Sequence, residues 1–160
     1  VYSEVGQGSC FSVYLPCAPA EADGTAHASA PEAPARGNGE HILLVDDEQQ
    51  VLEIAARSLT RRGYRVTTAS SAAQAIAFCD DPLNHFDLVI TDQTMPRETG
   101  AQLTLKLHAR WPGLPIILTS GFGEALGPEL LASLHLSAFI RKPFTQVELM
   151  GAVARALRSA

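Results

Sequence analysis

No stretch of this 160-residue chain is apolar for long enough to cross a membrane, since a spanning helix needs about 20 consecutive apolar residues. A charged leader followed by an apolar run is also missing at Val1, so no membrane contact by this piece is expected. Cysteine is scarce. Cys10, Cys17 and Cys79 are odd in number and match no paired metal spacing, which argues against a zinc site and for free thiols in a reducing cytoplasm. Positive charge is in deficit too: 12 Lys and Arg stand against 17 Asp and Glu, a net charge of −5. The basic residues are scattered, so no nucleic-acid partner is expected. The chain does not start with Met, and it is read as a piece of a longer cytoplasmic polypeptide whose membrane anchor, if it has one, lies elsewhere.

One absence divides the chain. From Cys17 to Glu40 there is no Ile, Leu, Val, Met, Phe, Tyr or Trp, and the residues are mostly Ala, Pro, Gly, Glu and small polar groups. Such a segment cannot offset the entropy of ordering, so residues 17–39 are expected to be a flexible linker. Before it, residues 1–16 read as two short strands about the Gly6-Gln7-Gly8 turn. A lone Gly-x-Gly followed by a strand is a hairpin turn rather than a phosphate loop. After it, residues 40–160 hold the apolar periodicities of one ordinary domain; the whole chain is 46% hydrophobic.

Within 40–160 the strand-like runs share a feature. Each ends in groups that can do chemistry. His41-Ile42-Leu43-Leu44-Val45 runs into Asp46-Asp47-Glu48; Phe86-Asp87-Leu88-Val89-Ile90-Thr91 runs into Asp92, then Gln93-Thr94-Met95-Pro96. Pro115-Ile116-Ile117-Leu118 runs into Thr119-Ser120-Gly121, and Ala138-Phe139-Ile140-Arg141 into Lys142-Pro143-Phe144. Between them come helical patterns. Val51, Ala55 and Leu59 are spaced one turn apart before Gly63; Ser71-Ala72-Ala73-Gln74 and Thr145-Gln146-Val147-Glu148 are capping-box patterns. Helices are also expected over Gly100 to Arg110 and Leu126 to Leu134, and Phe144 is placed to staple onto Leu149. Alternating βα units make an α/β fold with a parallel sheet, which would gather all four strand ends at one edge.

The ordered set Asp-Asp, Asp with Met-Pro, Thr-Ser-Gly and Lys-Pro-Phe resembles a response-regulator receiver domain of two-component signalling, over Glu40 to Ala160. That resemblance implies a flavodoxin-like (β/α)5 fold with strand order 2-1-3-4-5. The stretch Ser3-Glu4-Val5-Gly6-Gln7-Gly8-Ser9-Cys10-Phe11 resembles the end of the ATP-binding domain of a sensor histidine kinase. Its ATP-binding boxes are absent from this sequence, so this tail is expected not to bind nucleotide. Together the two resemblances point to a hybrid sensor histidine kinase as parent.

An ionised aspartate is already a nucleophile at neutral pH and needs no general base to attack a phosphoryl group. What it needs is charge neutralisation, which Mg²⁺ held by acidic side chains supplies. The resemblance implies that Asp92 accepts the phosphoryl group and that Asp47 and Asp92 bind Mg²⁺ directly. Asp46 would act mainly through water, and Thr94 would contribute its backbone carbonyl. Lys142, oriented by a cis Lys142-Pro143 bond, would grip a phosphoryl oxygen, and Thr119 and Phe139 would form the conformational switch. The implied phosphodonor is a histidine kinase domain or a histidine phosphotransfer protein. Each residue also has a plainer explanation. Asp46-Asp47-Glu48 could be an acidic helix start, Lys142 an exposed loop lysine, Thr119 a loop cap and Phe139 core. Two other functions fit part of this pattern: a phosphorylation-independent interaction domain, and an aspartate-nucleophile phosphatase, which would want a second Asp where this sequence has Thr94.

Overall fold

β-branched and leucine-rich runs become strands here because both of their faces can be covered. The structure, a computed structural model, describes residues 2–4, 6–12, 36–121 and 126–158. The chain divides into two compact units, Val1–Pro31 and Glu32–Ala160. In the first, β1 (Tyr2–Glu4) pairs antiparallel with β2 (Gly8–Cys10). Gly6 and Gly8 take φ of 82° and 96°, the left-handed backbone that the expected turn requires. Most of the expected linker, residues 17–35, lies outside the described residues.

The second unit runs β3 (His41–Val45), α1 (Gln49–Arg61), β4 (Arg65–Ala69), α2 (Ala72–Asp80), β5 (Leu88–Asp92) and α3 (Gly100–Arg110). It continues through β6 (Ile116–Ser120), α4 (Pro128–Ser133), β7 (Ala138–Arg141) and α5 (Gln146–Arg158). The five strands are parallel in the order β4-β3-β5-β6-β7. Numbered within the unit, that is the expected 2-1-3-4-5.

Strand β3 shows how sequence makes layers. Its side chains alternate by a period of two. Ile42 and Leu44 join Leu88, Ile90 and Ile117 in a core closed by Leu52 and Leu59 of α1 and by Leu149, Met150 and Val153 of α5. Leu43 and Val45 face the other way, joining Val89 and Ile116 under Ala72 and Ala75 of α2 and Leu103 and Leu107 of α3. Two covered faces explain why β3, β5 and β6 read as unbroken apolar runs.

The helix signals hold locally. Thr145 and Glu148 form a reciprocal capping box, with Thr145 N–H donating to Glu148 Oε2 at 2.7 Å and Glu148 N–H to Thr145 Oγ1 at 3.2 Å. Ser71 Oγ accepts from Gln74 N–H at 3.3 Å, but the Gln74 side chain reaches Ser70 N–H instead of completing the box. A second complete box, Thr99 with Gln102, opens α3. Helix α4 is shorter than expected, because Pro128 starts it and His135, at φ 48°, ends it. Gly37 N–H donates to the Arg62 carbonyl at 2.8 Å and Gly39 N–H to the Gly63 carbonyl at 3.0 Å, so residues 37–39 are tied to the turn after α1.

Buried His41 opens β3 at the end remote from the acidic strand ends. Its Nδ1 lies 3.0 Å from the His85 carbonyl and 3.4 Å from Arg65 Nη2, and its Nε2 2.8 Å from Thr67 Oγ1. Burial first, then the Arg65 charge, hold its pKa below 6.5, against the raising effects of the His85 carbonyl and the Asp87 carboxylate. The unfolded chain therefore takes up this proton first as the pH falls. The His41 contribution to stability is complete above pH 6.5 and is lost below it, through the lowered folded pKa. Urea midpoints of the parent and His41→Gln, compared from pH 7.5 to 5, should show a steeper acid loss in the parent. Parallel pH profiles would show that His41 does not titrate on unfolding.

Candidate phosphoacceptor site

Four strands deliver the site. Parallel register sets Asp92, the last residue of β5, opposite Thr119 of β6, and Val45, just before Asp46, opposite Thr91. Backbone bonds extend the pairing past the strand ends: Gln93 N–H donates to the Thr119 carbonyl and Lys142 N–H to the Ser120 carbonyl, each at 2.7 Å. The side chains at this edge therefore sit on adjoining backbones, and their convergence follows from parallel pairing.

Lys142 is the hinge of the electrostatics. Its Nζ lies 2.7 Å from Asp92 Oδ1 and 3.0 Å from Asp46 Oδ2. The two carboxylates are almost wholly buried, with side-chain exposures of 7% and 5%. Burial pulls the Lys142 ammonium down most, but hydrogen bonds and charge from Asp92 and Asp46 together outweigh it and leave its pKa raised. The lysine thus stays charged across the physiological range. Uncharged donors complete the shell of the two carboxylates. Thr119 Oγ1 donates to Asp92 Oδ1 at 3.1 Å, Thr94 N–H to Asp92 Oδ2 at 2.9 Å, and Glu48 N–H to Asp46 Oδ1 at 2.9 Å.

Asp46, Asp92, Thr119 and Lys142 are therefore brought together, with Thr94 joined through its backbone. The Lys142-Pro143 bond is cis. Asp47 stands apart: it is exposed on the loop after β3. Phe139 is half-buried and packs with Ala101, Leu118 and Leu134 beneath α4, one strand from Thr119. Two residues not singled out from sequence hold the site in place. Gln93 accepts from Ala101 N–H through its side-chain Oε1 at 3.0 Å, and Gly100 N–H donates to the Gln93 carbonyl at 3.0 Å. These bonds pin the start of α3 to the end of β5. The Thr99-x-x-Gln102 spacing was a visible sign of that helix start.

The arrangement leaves negative charge in excess, two buried carboxylates to one ammonium, with Asp47 near in sequence. All the donors are hard oxygens, the set that a divalent cation such as Mg²⁺ takes. Among the described residues no three acids converge into a ready cage. That is no obstacle to Mg²⁺, which keeps several waters and uses one or two carboxylates.

The family model of the response regulator receiver domain matches residues 42–154. A sensor kinase, CckA of Brucella abortus (strain 2308), is 30% identical over 97% of this chain and 17% of its own length. The transcriptional regulatory protein GlrR of Escherichia coli (strain K12) is 33% identical over 73% of the chain and 26% of its own length. The chain thus spans only a minor part of these two relatives. A crystal structure of a receiver domain protein from Clostridium thermocellum superposes with a TM-score of 0.70 at 28% identity, covering 75% of this chain and 95% of that one. TrrA from Thermotoga maritima, crystallised with Mg²⁺ and BeF, superposes at 0.65 with 26% identity, over 73% of this chain and 98% of its own. On the family match, the doubly covered parallel sheet and the acids at its carboxyl edge, this chain belongs to the response regulator receiver domain family of two-component signalling.

Proposed function

We propose that this receiver domain accepts a phosphoryl group from a phosphohistidine onto Asp92. The observation that carries the proposal is the placement of Lys142 Nζ within 2.7 Å of Asp92 and 3.0 Å of Asp46. A cation so placed can accompany an oxygen of the incoming phosphoryl group while Asp92 attacks phosphorus. The P–N bond to histidine breaks as the Asp92 Oδ–P bond forms, and the imidazole leaves. Thr119, whose hydroxyl already lies 3.1 Å from Asp92 Oδ1, would turn its hydrogen bond to a phosphoryl oxygen. When bound, Mg²⁺ would neutralise charge between carboxylates and phosphoryl oxygens. Asp47, Asp92 and the Thr94 carbonyl would hold it, with Asp46 acting through water. The Mg²⁺–BeF complex of TrrA, at 26% identity, supports this reading.

The output would run from Thr119 to Phe139, whose packing beneath α4 can be rebalanced when Thr119 turns toward the phosphoryl group. Phosphate can only bias arrangements already accessible, so this is a shift of population. The phosphodonor would be a histidine kinase domain or a histidine phosphotransfer protein. A hybrid sensor kinase as parent is supported by the CckA match, which extends over 97% of the chain and so through the N-terminal hairpin.

Asp92→Asn is expected to retain the fold and to abolish labelling by a small phosphodonor such as acetyl phosphate in the presence of Mg²⁺. Mass spectrometry of the intact chain reads the added phosphoryl group. Full labelling of the Asn variant would place the acceptor elsewhere.

A further inference from the structure

The chain carries a second concentration of charge, of opposite sign. Arg36, Arg61 and Arg62, with Gly37 and Gly63, line a cavity of about 510 Å³ where the segment entering β3 crosses the end of α1. Its volume falls within the range of small-ligand sites, roughly 300–1,000 Å³. No acid lines it, and among the described residues none of these three arginines has an acid within ion-pair distance. In a chain of net charge −5 such a concentration is unexpected. Arg61 also borders a further depression of about 280 Å³ along α1, where Glu53 and Arg57 balance each other in charge.

The helix end explains one arginine but not all three. The macrodipole puts only about half a negative charge at the end of α1, which Arg61 in the last turn already answers. The floor of the cavity is also held firmly. Gly37 is bonded to Arg62 and Gly39 to Gly63, and Gly63 sits at φ 95°. A Cβ on Gly63 would come within 2.6 Å of the Gly37 carbonyl oxygen, and one on Gly37 within 2.5 Å of the Tyr64 ring. The backbones carrying Arg36 and Arg62 are therefore locked at close approach.

We propose that this cavity is a binding site for a diphosphate-bearing small molecule. Each guanidinium is a planar fork matched to a pair of anionic oxygens. A single carboxylate satisfies one fork, whereas a diphosphate presents enough oxygens for three. Tyr64 is buried beneath Gly37, 4% exposed, and cannot stack on a base. The site therefore reads phosphates and not the group attached to them. Because Arg36 belongs to the entering segment, and Arg61 and Arg62 to the last residue of α1 and its cap, a bound anion would also tighten the attachment of that segment to the receiver.

The test is a titration of the 160-residue chain with inorganic pyrophosphate in EDTA, following backbone amide shifts. Saturable shifts are expected at Gly37, Gly39 and Gly63, with slower hydrogen exchange at Gly37 and Gly39. The double variant Arg61→Gln, Arg62→Gln, its fold confirmed by unchanged shifts elsewhere, should bind at least about tenfold more weakly, as lost charge-assisted bonds predict. ADP distinguishes the source. Binding equal to pyrophosphate identifies a diphosphate tail; weaker binding identifies the free inorganic anion. Non-saturating shifts, parent-like binding by the double variant, or shifts confined to Asp92, Thr119 and Lys142 would each overturn the proposal.

Discussion

Replacing Lys142 with Met is expected to destabilise the receiver by about 3 kcal/mol at pH 7, because removing one partner of a buried ion pair leaves the other charge uncompensated. Here two charges are left. Asp46 and Asp92 would face each other with side-chain exposures of only 5% and 7% and no cation between them. Like charges at close range, both desolvated, repel each other. A divalent cation at the acidic edge would offset that repulsion, so the gap between parent and variant should narrow at pH 7 on adding Mg²⁺. Urea unfolding with and without Mg²⁺ measures this. A gap that ignores Mg²⁺ would mean that Lys142 contributes packing alone.

Gly100→Ala should be as damaging, although alanine in a helix is ordinarily favoured over glycine by about 1 kcal/mol. A Cβ at this position would lie 2.2 Å from the Asp92 carbonyl oxygen and 2.6 Å from Leu118 Cδ1. The leucine can adjust, but the carbonyl belongs to the backbone of Asp92, the proposed acceptor. Relief requires α3 to move off the end of β5, which strains the bonds from Gly100 and Ala101 to Gln93. A loss of about 2–3 kcal/mol is expected from such overpacking. Phosphoryl acceptance should fall with it, since displacing Asp92 disturbs its spacing from Lys142 and Thr119. Thermal unfolding and phosphodonor labelling report the two effects separately. A rise in melting temperature would show that α3 has room to spare.

These results separate what pattern carries from what contact carries. The period of two in Ile42-Leu43-Leu44-Val45, the turn spacing of Val51, Ala55 and Leu59, and the Thr145–Glu148 box are local. Each acts over a few residues, so strand, helix and cap could be read before any contact was known. Order along the chain then implied a parallel sheet, and parallel pairing implied that Asp46, Asp92, Thr119 and Lys142 share an edge. The resemblance carried by the same residues pointed to their chemistry.

Only the folded chain decides which of two adjacent acids turns inward. Asp46 is buried at 4% and held by Lys142, from which it is separated by 96 positions, while Asp47 is exposed. Neighbours at a strand end leave on opposite sides, and composition cannot say which side meets the lysine. Gly100 looked like an ordinary helix start, because its requirement is the absence of a Cβ against a carbonyl eight residues back. The arginine cavity was equally hidden: Arg36 reads as the end of a linker, and nothing local joins it to Arg61 and Arg62. Short-range preferences act within a turn or two of chain and are written in order along it. Ion pairs, close approaches and shared cavities depend on distances that exist only once the sheet has brought remote segments together.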